Sequence, residues 1–201
     1  MLNELRNINI PKLDEQAMQA CRARLDVLTK PLNSLAAFED IAVRLAGITR
    51  NERPRDLRKG IVVMVADHGV AMEGVSAYPQ EVTKQMLYNF CNGGAAINVL
   101  ARHAGADLLP VNVGLAGDID KLPGLISARV AAGTANMAVG AAMTKQEMWA
   151  AINVGIETVA ELKKRNIEIV GVGELGIGNT TASTAILACY SNLELTELTG
   201  R

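Results

Sequence analysis

Gly60 to Ala66 (GIVVMVA) is a near-continuous apolar run, the pattern of a strand covered on both faces. Ile167 to Val172 reads the same way, as a buried parallel strand carrying Ile167, Ile169, Val170 and Val172. Leu108 to Val113 is a third strand. Its Pro110 suits an edge or a bulge, because proline donates nothing to a ladder. A shorter apolar run, Ile126 to Ala132, ends in the loop Gly133-Thr134-Ala135-Asn136-Met137.

Between these runs the period changes to that of helices. Pro11 and Asp14 open a helix with Ala17, Cys21, Leu25 and Leu28 on one face, and Pro31 stops it. Ser34 is placed to cap a second helix with Leu35, Phe38, Ile41, Ala42 and Leu45 inward. Pro79 starts a helix with Val82, Met86 and Phe90 on one stripe. Gly93-Gly94 separates it from the next, Ala95 to His103, where Ala95, Ala96, Val99 and Leu100 permit close packing. Thr144 with Glu147 makes a capping box for the longest helix, whose apolar face is Met148, Ile152, Ile156, Val159 and Leu162.

Strands alternating with helices predict an α/β protein with a Rossmann-like wound parallel sheet and flanking helices. The first two helices form a small N-terminal helical subdomain, residues 1–55. The charged stretch from Arg50 to Lys59 reads as a linker, and an α/β nucleotide-binding domain follows over residues 56–201.

Composition narrows the function classes. A 49% hydrophobic content supports a substantial core, and only 3% aromatic residues means filling by Ala, Val, Ile, Leu and Met. A net charge of −1 and a pI near 6.1 argue against nucleic acid as a partner. Cys21, Cys91 and Cys189 are scattered, which suits reduced thiols in a cytoplasmic protein. His68 and His103 are the two histidines, and nothing beside Asp118 and Asp120 completes a metal shell, so no metal is expected. The N-terminal MLNELRNINI is too polar for a leader, and no apolar stretch is long enough for a membrane span.

The chemistry concentrates in Ile167 to Ala185, IEIVGVGELGIGNTTASTA. An apolar strand breaks into Gly171, Gly173, Gly176 and Gly178, then Asn179, Thr180 and Thr181 lead into a helical start. Glycines let backbone approach a ligand closely, and the free N–H groups of a helix start attract an anion. As a dinucleotide fingerprint, Gly171, Gly173 and Gly176 have the spacing and Glu194 follows about 20 residues on. That match is weakened by a second glycine turn where the helix should have begun. A P-loop is excluded, since no lysine follows Asn166. The third reading is a monophosphate held by backbone amides and threonine hydroxyls, with Glu174 facing it. Asp67 and His68, directly after the first strand, are site candidates or a hydrogen-bonded strand cap. His103, at a helix C-terminus, suits the helix dipole better than catalysis.

GELGIGNTTAS resembles the signature of the nicotinate-nucleotide–dimethylbenzimidazole phosphoribosyltransferases. A second block from Ala66 to Ala106, ADHGVAMEGVSAYPQEVTKQMLYNFCNGGAAINVLARHAGA, is similar to the same family. So is LTKPLNSLAAFEDIAVRLA, with one departure: Asn33-Ser34-Leu35-Ala36 stands where the family usually has Gly-Ser-Leu-Gly.

The resemblance implies phosphoribosyl transfer from nicotinate mononucleotide to 5,6-dimethylbenzimidazole, with inversion at the anomeric carbon and no cofactor. It implies a phosphate cradle of Gly176, Gly178, Asn179, Thr180 and Thr181, and a catalytic Glu174 at the ribose or the anomeric carbon. It implies a base pocket of Ser76, Tyr78, Gln85 and Met86, and a homodimer. In the family the principal base is a glutamate near the C-terminus of a chain of roughly 350 residues. Nothing in 1–201 matches that segment, so these residues alone are expected to turn over poorly, as the N-terminal part of such an enzyme. A binding module without catalysis is the alternative, and a dinucleotide-dependent oxidoreductase a distant third.

Overall fold

The computed structural model describes residues 8–55 and 57–199. The polar N-terminal stretch through Asn7, linker position 56 and the terminal residues 200 and 201 lie outside the described residues. The chain divides between Leu57 and Arg58 into two compact units.

The first unit is a helix pair, α1 (Glu15–Asp26) and α2 (Ala37–Thr49). The Asp14 carboxylate caps α1 by accepting the Ala17 N–H at 2.9 Å. The core is Cys21, Val43 and Ala46, flanked by Met18, Leu25 and Ala42. Close approach is set by Gly47, where an added Cβ would lie 2.7 Å from the Met18 side chain. The face of α2 expected inward is partly turned out: Leu35, Phe38 and Ile41 are exposed, Ala42 and Leu45 are half-buried, and Glu39, Val43, Ala46 and Gly47 are buried instead. A buried glutamate is tolerable here because Glu39 accepts from Lys30 Nζ at 2.8 Å and from the Leu35 N–H at 3.1 Å. Ser34 caps nothing. Ala36 is the N-cap, at φ 46° and ψ −125°, with no side-chain cap bond, and the Glu39 carboxylate accepts the Leu35 N–H just before the helix.

The second unit is built on β1 (Lys59–Ala66), β2 (Ala106–Gly114), β3 (Ile126–Ser127) and β4 (Ile169–Leu175). All pair in parallel, in the order β3-β2-β1-β4. The helices are α3 (Glu81–Cys91), α4 (Ala96–Ala104), α5 (Lys145–Lys164), α6 (Asn179–Tyr190) and α7 (Leu195–Leu198), with a 3-10 turn at Gly69–Glu73. Successive residues of β1 face opposite sides. Val63 and Val65 pack with Leu87, Phe90 and Ala95, while Val62 packs with Leu109, Val111, Leu162 and Ile167. Pro110 is accommodated as at an edge, because β3 reaches only Val111 and Asn112.

Several predicted faces are rotated. In α3 Phe90 is buried as expected, but Thr83 and Leu87 are buried with it, one position from Val82 and Met86. In α4 they are Asn98 and Ala101, with Val99 and Leu100 exposed. The capping box of α5 forms as its sequence requires, with the Glu147 carboxylate accepting the Thr144 N–H at 2.7 Å. Yet only Thr158 and Leu162 of α5 are buried, and Met148, Ile152, Ile156 and Val159 stay exposed. β4 is not the doubly covered strand its composition suggests. It lies at the sheet edge, Val172 is 86% exposed, and α6 after it buries no residue.

Candidate functional site

From β1 the chain moves outward to β2 and β3, then returns across β1 to form β4. The strand order therefore reverses between β1 and β4, and ligands bind beyond the carboxyl ends of strands at such a switch. His68 follows the end of β1 and Glu174 lies at the end of β4. They meet there, His68 Nε2 to Glu174 Oε1 at 3.0 Å. The histidine side chain is 14% exposed and the glutamate 35%.

Gly176 is buried beside this pair. A Cβ at Gly176 would run into the Ala66 carbonyl oxygen, the His68 ring and the Glu174 carboxylate, so no larger residue fits. Gly178 then takes φ 89° as the N-cap of α6. The Ile177 amide between them donates to the Thr83 hydroxyl at 3.0 Å, tying the turn to α3. The Asn179 amide closes a tight turn on the Gly176 carbonyl at 3.0 Å, and the Ala182 amide reaches the Gly178 carbonyl at 3.3 Å. Among the described residues no backbone acceptor meets the amides of Thr180 and Thr181. Two open N–H groups at a helix start, with two threonine hydroxyls beside them, are a donor set for an anion. The dinucleotide fingerprint fails on the same geometry. Gly171 and Gly173 lie inside β4, paired with Ile61 and Val63, rather than in a phosphate turn.

A cavity of about 1040 Å³ opens on the other side of β1, lined by Asp67, Lys84, Gln85, Tyr88, Met72 and Pro79 among others. Of the predicted base residues only Gln85 lines it. Met86 packs against the core, Tyr78 is exposed, and the Ser76 hydroxyl accepts the Tyr78 N–H at 3.2 Å. The Tyr88 hydroxyl donates to Asp120 at 2.7 Å, and that bond pushes its pKa above the ordinary 10. Asp67 is buried, and one of its carboxylate oxygens accepts from the Ala116 amide at 2.8 Å.

The structure thus gathers Glu174, Gly176, Gly178, Asn179, Thr180 and Thr181 at the β1–β4 switch and sets Gln85 on the opposite face of β1. Two further residues belong with them, His68 and Thr83. Sequence leaves His68 open between site and strand cap, its signal being its place directly after a strand end. For Thr83 there is no signal, because its buried hydroxyl serves a turn 94 residues away.

A family model described as phosphoribosyltransferase matches residues 10–201. A nicotinate-nucleotide–dimethylbenzimidazole phosphoribosyltransferase of Chloroflexus aggregans is 47% identical over 96% of this chain and 55% of its own length. The Geobacter sulfurreducens protein of that name is 49% identical over 94% of this chain and 54% of its own. Among solved structures, CobT from Thermus thermophilus superimposes with a TM-score of 0.88 at 42% identity, covering 92% of this chain and 56% of that one. The chain spans about 55% of the length of the curated relatives it matches. On sequence and on fold, it belongs to the phosphoribosyltransferase family that includes the nicotinate-nucleotide–dimethylbenzimidazole phosphoribosyltransferases.

Proposed function

We propose that this chain serves the transfer of a phosphoribosyl group from nicotinate mononucleotide to 5,6-dimethylbenzimidazole, giving α-ribazole 5'-phosphate and nicotinate in cobalamin assembly. The observation that carries it is the open N-terminus of α6, set beside Glu174 at the sheet's switch point. In this reading the phosphate rests on the Thr180 and Thr181 amides, with Gly176, Gly178 and Asn179 shaping the cradle. Glu174 faces the ribose, where a carboxylate bonds hydroxyls or stabilises cationic character at the anomeric carbon. The acceptor base occupies the cavity walled by Gln85, with Ser76, Tyr78 and Met86 contributing around it.

The reaction asks little of the protein beyond placement. The bond from the anomeric carbon to the pyridinium nitrogen breaks, and its electron pair neutralises that nitrogen. The unprotonated azole nitrogen attacks from the opposite side, and the proton on the ring's second nitrogen passes to a carboxylate base. Holding both rings about one sugar supplies much of the acceleration. The reading also takes the protein as a cytoplasmic homodimer that engages small molecules rather than nucleic acid. The exposed apolar stripe of α5 supports the self-association, and among the described residues no helix is long and apolar enough to cross a membrane.

Calorimetric titration with nicotinate mononucleotide tests the site. The wild-type chain is expected to bind, and Gly176→Ala to lose at least about tenfold in affinity, equivalent to about 1.4 kcal/mol. Equal affinity in both would refute the cradle. Binding with no nicotinate release on adding the benzimidazole would favour a binding module over an enzyme.

A further inference from the structure

His68 is mounted on backbone that is pinned on both sides. Before it, the Asp67 amide donates to the Gly114 carbonyl at 2.9 Å, and the Asp67 carbonyl accepts the Thr134 amide at 3.0 Å. After it, the Gly69 amide donates to the Thr134 hydroxyl at 3.2 Å, and a Cβ at Gly69 would lie 2.5 Å from backbone atoms of Ala135 and Asn136. His68 enters the 3-10 turn in extended conformation, φ −116° and ψ 120°, and its side chain makes no cap bond there. The ring serves Glu174 instead of the turn.

Glu174 is held far less by its own backbone. It pairs with Met64 near the end of β4, a strand that among the described residues pairs only with β1. Its side chain has three torsions, and an unheld carboxylate samples several arrangements of them. His68 Nε2 takes Oε1, and among the described residues Oε2 has no hydrogen-bond partner. A carboxylate only accepts, so the imidazole carries its proton on Nε2. Gly176 keeps room for this contact, since a Cβ there would lie 2.6 Å from the His68 ring and 2.8 Å from Oε1.

We propose that His68 is a positioning residue for Glu174, holding Oε1 so that Oε2 is aimed at a ribose hydroxyl of the bound nucleotide. The role rests on the proposed transfer reaction and adds to it a residue that acts through another. With one oxygen anchored and one left open, the torsional freedom of Glu174 is lost on folding rather than on binding. A neutral histidine suits the task better than lysine or arginine. It donates one hydrogen bond and leaves the carboxylate its negative charge, which positive character at the anomeric carbon requires.

Titrations of the 201-residue chain with nicotinate mononucleotide and with inorganic phosphate test the role. Phosphate reaches the cradle and brings no ribose. His68→Ala should weaken the nucleotide at least about fivefold and leave phosphate unchanged. His68→Gln puts an amide N–H where Nε2–H stood and should restore affinity, whereas the shorter His68→Asn should not. In a Glu174→Ala background, His68→Ala should cost less than a further factor of about two. Full nucleotide affinity in His68→Ala overturns the proposal, as do equal losses in the Gln and Asn variants or additive losses in the double variant. Phosphate lost together with the nucleotide overturns it too, because the ring would then only brace the Gly176 turn. Without any ligand, the His68 Nε2–H should give a downfield, slowly exchanging proton NMR signal that Glu174→Ala removes, and absence of that signal in wild type refutes the contact itself. Wild type binding neither probe refutes the transfer reading, while the proton signal still decides the His68–Glu174 link.

Discussion

Asn33 and Ala36 both have positive φ, 57° and 46°. These are the two positions at which the resembled family usually carries glycine, so the departure in sequence falls on the strained points of the turn. Asparagine tolerates a left-handed conformation, but alanine at φ 46° and ψ −125° does not. Ala36→Gly should stabilise the helix pair by about 1 kcal/mol, the strain relieved outweighing the added chain entropy. Thermal unfolding followed by helical circular dichroism reads this, and an unchanged or lower midpoint would contradict it. Thr83 is the converse case, a fully buried hydroxyl with one identifiable task. Thr83→Val keeps the shape and leaves the Ile177 amide without its acceptor. The expected loss is about 1–3 kcal/mol of stability, with weaker nicotinate mononucleotide binding because the cradle loses its tether to α3. Full affinity in this variant would show that the turn holds its shape unaided.

Elements are legible where one pattern decides them. β1 is a continuous apolar run in sequence and a doubly covered strand in the fold, and Thr144 with Glu147 announces the start of α5 and forms the cap. Helix faces are less legible, because apolar periodicity does not say which stripe meets the sheet. In α2 the winning stripe contains Glu39, which Lys30 and the Leu35 amide, both outside that helix, make tolerable. In α3 it contains Thr83, whose hydroxyl serves the Gly176 turn. β4 misleads because an apolar run records what a strand is suited to, not how many neighbours it has. Of the site, the glycine cradle is legible and the His68–Glu174 contact is not, since pairing across 106 residues leaves no local trace. The cap of α5 carries its own prediction. Glu147 has its pKa lowered by Thr144, and Glu39 has its pKa lowered chiefly by the Lys30 hydrogen bond. A carboxyl held lower in the folded chain stabilises the fold above its ordinary 4.5, and that contribution is lost as pH falls through the lowered value. Stability should therefore drop on acidification below 4.5, and Glu147→Gln should flatten the decline around α5. Amide exchange of α5 at neutral and acid pH is the measurement, and equal slopes in both proteins would remove Glu147 from the account.

At the scale of the molecule, the two sides of the sheet end differently. β3 is two residues long and makes a short, blunted edge, whereas β4 offers seven residues that, among the described residues, pair on one side only. Within it Val172 is 86% exposed, and in α6 Tyr190 is 88% exposed and Ile186 62% exposed. An open strand flanked by apolar side chains is a template for association, and no charge on its outer residues opposes pairing apart from Glu174 near its end. The 201-residue chain should therefore self-associate through this side, with a light-scattering mass above 21.3 kDa that rises with concentration. Val172→Lys places a charge on the open edge without touching Glu174, Gly176 or the α6 amides. It should return the mass toward the monomer while leaving nicotinate mononucleotide binding as it was. A monomeric wild type would show that the edge is already screened. Loss of nucleotide binding in Val172→Lys would show instead that the open side of β4 and the cradle at its end are one functional surface.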